Sequence, residues 1–398
     1  MVLAMPPLLC VAIVVFLEVV CLGAVFPTLP RYTEALGGTA LLAGVMFALV
    51  SGPKIFTNPL WGKASDASGR RRILVLLTIG TLSGSVLWAA TPWLGATVGL
   101  PLLWLGLSRL VYGIFSGQAT LAFAVASDTS APEKRSAALG VLGAAFGAGL
   151  TVGFPLGGIV AEAFGYAAVG WLCAAAEVIA LLVVLLTLPE TRRRDVAELT
   201  VEQAGRLITR PVIMLLVAVC LVVTMGMSMM TPTLSPYVGD VHGWSVAEAG
   251  WAFLVFGIVS IIVQGGLIRP TVRALGDRRT LIVGVLTLAA GFVVLAVLAP
   301  VGWFWLGVVL IGTGAGLSQP TLAGLFSLNV DAREQGAAHG LNQGATSLGR
   351  TLAYPIAGGL YGYVGWGWPY AVGAVLLGAG LLPLAALRRV SQPDRLGN

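Results

Sequence analysis

Residues 61–74 read WGKASDASGRRRIL: one acid and four basic residues in fourteen positions. The whole 398-residue chain holds only 23 Lys and Arg and 17 Asp and Glu, and long apolar runs flank this stretch on both sides. Such a cluster reads either as a solvated anchor between two membrane-embedded segments or as a working part between them.

Composition decides the solvent. The chain is 57% hydrophobic and 10% charged, whereas a soluble domain is about one quarter charged. That much apolar surface fits no single water-soluble core, and its natural solvent is lipid. Disorder is excluded, because disordered chains are polar and charged. Cys10, Cys21, Cys173 and Cys220 each sit inside an apolar run without metal-ligand spacing, so they read as reduced packing residues. No cofactor is expected.

Apolar runs between polar punctuation give twelve candidate helices, at about 7–30, 39–60, 72–91, 98–124, 137–163, 167–188, 212–237, 247–268, 280–300, 302–327, 336–362 and 367–388. A crossing helix needs about 20 apolar residues. The runs do not alternate with period two, which argues against a barrel. The first run lacks a basic lead and an A-x-A cleavage site, so it is expected to be a retained span. With both termini placed in the cytoplasm, the inner loops and tail hold nearly every loop cation, including Lys63, Arg70, Arg71, Arg72 and Arg192–Arg194, while the outer loops hold only Arg31. This positive-inside pattern supports twelve spans and explains the net charge of +6 without nucleic acid.

The halves repeat each other. FPTLPRY (Phe26–Tyr32) matches TPTLSPY (Thr231–Tyr237), SGQATLA (Ser116–Ala122) matches LSQPTLA (Leu317–Ala323), and GFPLGGIVAEAFGY (Gly153–Tyr166) matches AYPIAGGLYGYVGW (Ala353–Trp366). The expected organisation is a bundle at 1–188, a cytoplasmic linker at 189–211 and a second bundle at 212–398. A parallel six-plus-six repeat is a transporter architecture.

Together these residues make the chain resemble the major facilitator superfamily and, within it, the twelve-helix drug:proton antiporters that include the tetracycline exporters. The family's loop signature G-x-L-a-D-r-x-G-r-[RK] is matched at Gly62, Asp66, Gly69, Arg70 and Arg71, with Lys63, Ala64 and Ala67 off its pattern. The resemblance implies a cytoplasmic gate at Gly62, Asp66, Gly69 and Arg70. Physically, Gly62 would permit a close helix approach, and Asp66 would favour the N-terminal dipole of the third span. The plain alternative is a solvated anchor, and it suits Arg70–Arg72 as well as function does. R-x-x-q-G is matched at Arg109 and Gly113, with Tyr112 in place of Gln; the family implicates this Arg in proton transfer. A mid-span charge costs about 3 kcal/mol, which asks for a polar cavity or a carboxylate partner. The antiporter signature g-x-x-x-G-P-x-x-G-G is matched at Gly149, Gly153, Gly157 and Gly158, with Pro155 one position late. It implies a helix bend, against the plain alternative of small-residue packing. P-x-x-P-x-Y is matched by Pro27, Pro30 and Tyr32.

Glu18 lies nine residues before Pro27, where the tetracycline exporters carry an acid. A carboxylate near the midplane is functional by default, and burial disfavours its charged form, so it can hold a proton near neutral pH. The alternative is a structural ion pair with Arg109. The repeat partners of Glu18 and Arg109 are Val223 and Leu310. Glu177 faces either the cavity or the bundle edge. Gln343, Ser347 and Arg350 follow i, i+4, i+7 and share one face. With Met227 of the methionine-rich TMGMSMMTP stretch, these residues and Glu177 are the candidate substrate-cavity lining.

No Walker loop, channel filter or catalytic constellation appears. The reading is an all-α integral membrane protein with twelve transmembrane helices in two six-helix bundles. It is expected to be no enzyme but a secondary transporter, a monomer in a bacterial inner (plasma) membrane. A proton-driven exporter of small amphipathic or apolar molecules is the first expectation. A uniporter or importer of a sugar, amino acid or lipid metabolite is the second, and a non-transporting receptor the third. Its partners are a small-molecule substrate, protons and the lipid bilayer.

Overall fold

A computed structural model describes residues 5–131, 134–191, 207–297, 300–331 and 334–384. The Arg192–Arg194 cluster, most of the expected linker and the basic tail lie outside the described residues. Those described are helical and contain no strand.

They form twelve segments in chain order. The first six are Pro7–Ala35, Ala40–Ser68, Arg70–Thr97, Pro101–Phe115 resuming as Gln118–Thr129, Arg135–Phe164 and Tyr166–Thr187. The seventh is Pro211–Ser228 with Leu234–His242, and the eighth is Val246–Ile262 continuing through a π-helical turn, Val263–Leu267, into Ile268–Leu275. The last four are Asp277–Val297, Val301–Leu328, Gln335–Tyr363 and Trp368–Ala379. Ten of these segments are long and apolar enough to cross a membrane; the eleventh is too polar and the twelfth too short to meet that measure among the described residues.

One boundary departs from expectation. The second helix runs to Ser68 and the third begins at Arg70. What reads as a polar loop is therefore two helix ends meeting at Gly69, whose φ of +106° turns the chain. Glycine adopts that conformation without the steric cost borne by other residues. Charge does not end a helix that can extend beyond the hydrocarbon, and Asp66 thus lies in the last turn of the second span, not at the start of the third.

The chain divides into two compact units, Met1–Val196 with Leu234–Leu254, and Ala197–Thr233 with Val255–Asn398. In the first unit, the fifth span meets the first through missing side chains. A Cβ on Gly149 would run into the backbone of Phe16, one on Gly153 into Val20, and one on Gly157 into Ala24. The i, i+4, i+8 glycines thus form a stripe along which backbones touch, the close approach that drives helix association in lipid. Gly158 does the same toward Val246 and Ala247, and Gly250 toward Phe154. Pro155, Pro27 and Pro30 lie inside helices that continue through them.

Near these contacts Phe26 packs on Phe47, Phe154 and Phe253, with centroids 5.7–6.0 Å apart. Arg31, the expected lone outer cation, is engaged in this unit by Glu34 at 2.7 Å, Asp240 at 2.9 Å and the Pro236 carbonyl at 3.1 Å.

In the second unit, Arg210 at the head of the seventh span grips Glu334 with both Nη atoms, at 2.8 and 2.7 Å. This fork, together with the Asp331 backbone N–H, holds the Glu334 carboxyl below its usual 4.5.

Two outcomes follow. Gly157→Ala places a methyl against the Ala24 backbone and is expected to cost about 1–3 kcal/mol, read as a lower melting temperature of the detergent-purified protein; Gly143→Ala, which meets open space, serves as control. Because Glu334 titrates at a depressed value when folded, its pairing contributes fully above 4.5 and is lost as pH falls through that folded value. The melting temperature of wild type should therefore drop with acidification more steeply than that of Glu334→Gln, and parallel curves would contradict the pairing.

Candidate functional site

Three groups of polar residues lie inside or at one end of the first unit. The first is built around the second-to-third-span turn. The first N–H of the third helix, on Arg70, donates to Glu190 Oε1 at 2.7 Å. A carboxylate there satisfies an orphan donor and meets the positive end of the helix dipole. The acid at this position is thus Glu190, from beyond the sixth span, and not Asp66. A Cβ on Gly69 would strike this carboxylate, so Gly69 is needed for space as well as for its φ.

The Arg70 guanidinium ties the cluster together. It pairs with Asp66 one turn back and with Asp128 Oδ2 at 3.1 Å, and donates to Ser65 Oγ at 2.6 Å. Arg71 donates to the Leu185 carbonyl at 2.6 Å, closing the last turn of the sixth span. Arg70 and Arg71 are more than solvated anchors. Gly62 is different: nothing lies within 4 Å of where its Cβ would stand, so the close approach expected there is absent among the described residues.

The second group surrounds Arg109, which is 3% exposed. No carboxylate pairs with it among the described residues, which sets aside the alternative of a structural ion pair with Glu18. Its guanidinium lies 4.3 Å from the Trp88 ring centroid and 5.4 Å from that of Tyr112. Trp88 is held by its indole N–H on the Tyr166 carbonyl at 2.9 Å and packs on Tyr32, whose ring stacks on Tyr166. A desolvated cation–π contact yields about 2 kcal/mol or more. Two such faces are commensurate with the roughly 3 kcal/mol insertion cost of the charge. Tyr112, where the family pattern has Gln, is one of those faces. Cys21 and Cys173 line the same cavity of about 10 Å³, room for roughly one water. Each thiol points at the other's carbonyl, at 3.7 and 3.9 Å, and all four cysteines are free, as expected.

The third group contains Glu18, 7% exposed, and Glu177, 1% exposed. The fourth span breaks at Ser116–Gly117 and restarts at Gln118. At the restart, Gln118 Nε2 donates to Thr81 Oγ1 of the third span at 2.9 Å. Glu18 Oε2 and Glu177 Oε1 are buried without a hydrogen-bond partner among the described residues. At its burial Glu177 is deep in the bundle, not at its edge.

Of the expected cavity residues in the second unit, Met227 is half-buried and accepts from Gln319 Nε2 at 3.5 Å. Gln343 and Arg350 are exposed and Ser347 partly so, a polar stripe along the eleventh span. Sequence reasoning missed Glu190, Asp128, Thr81 and Gln118. Gln118 lies inside a quoted repeat, and Glu190 in the Pro-Glu-Thr just beyond the sixth span, but neither carries a periodic signal.

Comparison with known proteins accords with this architecture. The family model described as Major Facilitator Superfamily matches residues 11–353 and 273–398. The chain is 28% identical over 401 residues to the class G tetracycline resistance protein of Vibrio anguillarum, covering 95% of this chain and 96% of that one. It is 27% identical over 404 residues to the class E tetracycline resistance protein of Escherichia coli, covering 96% and 95%. The fold matches the crystal structure of the human organic anion transporter MFSD10 with a TM-score of 0.70, 20% identity and coverage of 96% and 100%. It matches the nucleoside transporter NupG with a TM-score of 0.79, 13% identity and coverage of 96% and 99%.

The Arg70 cluster makes a graded prediction. Asp128 is 10% exposed and Asp66 40%. Asp128→Asn should cost about 1.5–3 kcal/mol and Asp66→Asn no more than about 1 kcal/mol, compared as melting temperatures. The reverse order would remove Asp128 from its place as the principal partner of Arg70.

Proposed function

This chain belongs to the major facilitator superfamily of membrane transporters, and on that premise we propose that it is a proton-coupled antiporter exporting small amphipathic or apolar compounds by alternating access. The observation that carries the reading is Glu18. It is a buried carboxylate inside the first span, with Oε2 without a hydrogen-bond partner among the described residues. A group so placed is relieved of its desolvation cost when it takes up a proton. That is the property a proton carrier requires.

We assign Arg109 to the proton coupling as well; its partners are aromatic faces, so it is held without consuming a carboxylate among the described residues. Gly62, Asp66, Gly69 and Arg70 are assigned to a cytoplasmic gate, extended by Asp128 and Glu190. The helices containing Pro27, Pro30, Gly153, Pro155, Gly157 and Gly158 shape the opposite side. We assign Met227 and the stripe Gln343, Ser347 and Arg350 to the substrate path, since exposed polar groups along a span favour water over lipid. In this reading the bundles are 1–188 and 212–398 with the linker 189–211 between them. The protein works as a monomer in the inner (plasma) membrane with both termini cytoplasmic, as the distribution of loop cations supports.

Similarity to tetracycline resistance proteins along nearly the whole chain makes tetracycline the first cargo to test. Uptake of tetracycline, and of a small panel of apolar dyes, is measured in proteoliposomes with and without an imposed pH gradient. Wild type is expected to concentrate at least one probe only when the gradient is present. Glu18→Gln is expected to abolish that accumulation while leaving melting temperature and probe binding in place. Gradient-independent flux in wild type would assign uniport, and undiminished gradient-driven flux in Glu18→Gln would remove Glu18 from the coupling.

A further inference from the structure

The cavity beside Arg109 is lined by more hydrogen-bond donors than the protein answers. Arginine carries five N–H donors and no acceptor. Among the described residues the Arg109 guanidinium makes one hydrogen bond, from Nε to Ser108 Oγ at 3.2 Å. The Trp88 and Tyr112 rings offset its charge, but a ring face is only a weak acceptor for an N–H. The two Nη groups are thus left without an oxygen acceptor among the described residues, on a side chain that is 3% exposed.

Two hydroxyls line the same cavity and share that condition. Ser85 is 1% exposed and Tyr112 4%. Neither Ser85 Oγ nor Tyr112 Oη has a hydrogen-bond partner among the described residues. Ser85 departs from the habit of its own helix. In the third span Thr78, Thr81, Ser83 and Thr91 each donate to the carbonyl four residues back, at 2.8–3.2 Å. Ser85 makes no such bond among the described residues, so its hydroxyl is spared for the cavity. The thiols of Cys21 and Cys173 also line this space, but each is committed to the other's carbonyl. Buried polar groups are nearly always satisfied. Three orphaned side chains from two spans, gathered around one space, point to a ligand in that space.

Size and donor count select its chemistry. A cavity of about 10 Å³ has room for one species of roughly the size of water. That admits a monatomic ion and excludes phosphate, sulfate or a carboxylate. A water accepts hydrogen bonds from two donors and must place two hydrogens of its own. A monatomic anion accepts from every side and places none. The polar lining here consists of guanidinium N–H and hydroxyl groups, and its fixed charge is positive and unpaired by any carboxylate among the described residues. Donors of this kind bind an ionised acceptor about twice as strongly as a neutral one.

We propose that this cavity is a halide site, in which chloride accepts from the Arg109 guanidinium, Ser85 Oγ and Tyr112 Oη. With chloride bound, the aromatic cage holds no net charge; without it, the cage holds one positive charge. A phenylalanine at position 112 would offer Arg109 the same ring face, so the hydroxyl is the part of Tyr112 that the anion uses. The site goes beyond the antiport reading and does not depend on the cargo or on Glu18.

The test follows the melting temperature of the purified protein as sodium gluconate is exchanged for sodium chloride at constant ionic strength and pH, for wild type, Ser85→Ala and Tyr112→Phe. A ligand that binds only the folded state raises the melting temperature with its concentration. Wild type should show a rise that saturates, and sodium bromide should reproduce it. Each variant removes one hydrogen bond to a charged ligand and should raise the half-saturating chloride concentration roughly tenfold or more. In gluconate alone neither variant should melt below wild type, because each loses a buried hydroxyl that has no protein partner to strand. A wild type indifferent to chloride would overturn the site and leave the cavity to a water. A chloride response that both variants retain unchanged would overturn it as well, since the effect would then belong to bulk salt.

Discussion

The structure of the first unit rests on backbone-to-backbone contact between the first and fifth spans. Lipid gives apolar helices no reason to seek each other, because a hydrocarbon tail solvates leucine as well as another leucine does. What lipid cannot supply is the close approach of two helix backbones. Gly149, Gly153 and Gly157 permit it against Phe16, Val20 and Ala24. Glu18 lies between the first two of those contacts, so its depth and rotation are set by backbone and not by flexible side chains. The same registration carries Cys21 to Cys173 and Tyr32 to Trp88 and Tyr166.

With the helices so fixed, each buried charge is met by a different device. Arg109 is met by aromatic faces, Arg70 by two carboxylates and a serine, and Glu18 is left with Oε2 unpartnered among the described residues. The devices differ in consequence. A partly buried ion pair such as Arg70–Asp128 holds two groups in one geometry, and removing one partner strands the other. A cation over rings remains charged without consuming a carboxylate. Arg109 therefore leaves Glu18 and Glu177 unpaired by it, and that is the condition under which a nearby acid remains free to titrate.

What was legible in the sequence follows the same physics. Hydropathy and loop charge report directly on lipid, so the spans, the repeat and the positions of Glu18, Arg109 and the glycine stripe could be read without coordinates. The second-to-third-span boundary is displaced because polar residues read as the end of a helix, whereas the chain turns only at Gly69. Asp66 was assigned a dipole role that Glu190 fills from 120 positions away. Asp128 and Thr81 were missed for the same reason: their partners stand 58 and 37 residues off in sequence. Neither side of such a contact leaves a period or spacing behind. The cage around Arg109 was hidden because Trp88 and Tyr166 come from other spans, and aromatic residues in apolar runs look like packing.

The two halves of the repeat have diverged in a way that bears on coupling. At the SGQATLA and LSQPTLA matches the sequences are nearly alike, yet the first half breaks its helix there and the second does not. In the first, Gln118 donates to the Thr81 hydroxyl; in the second, Gln319 donates to the sulfur of Met227. The second half presents instead an exposed polar stripe along the eleventh span. If Glu18 belongs to the proton and the stripe to the cargo, as proposed, protonation and cargo binding occur on different halves of the repeat. Neither ligand then needs to touch the other. Each has only to favour one arrangement of the helices over another, and the difference in its affinity between arrangements bounds the work it can do. A buried acid that Arg109 leaves unpaired suits that task, because its charge can change without breaking an ion pair.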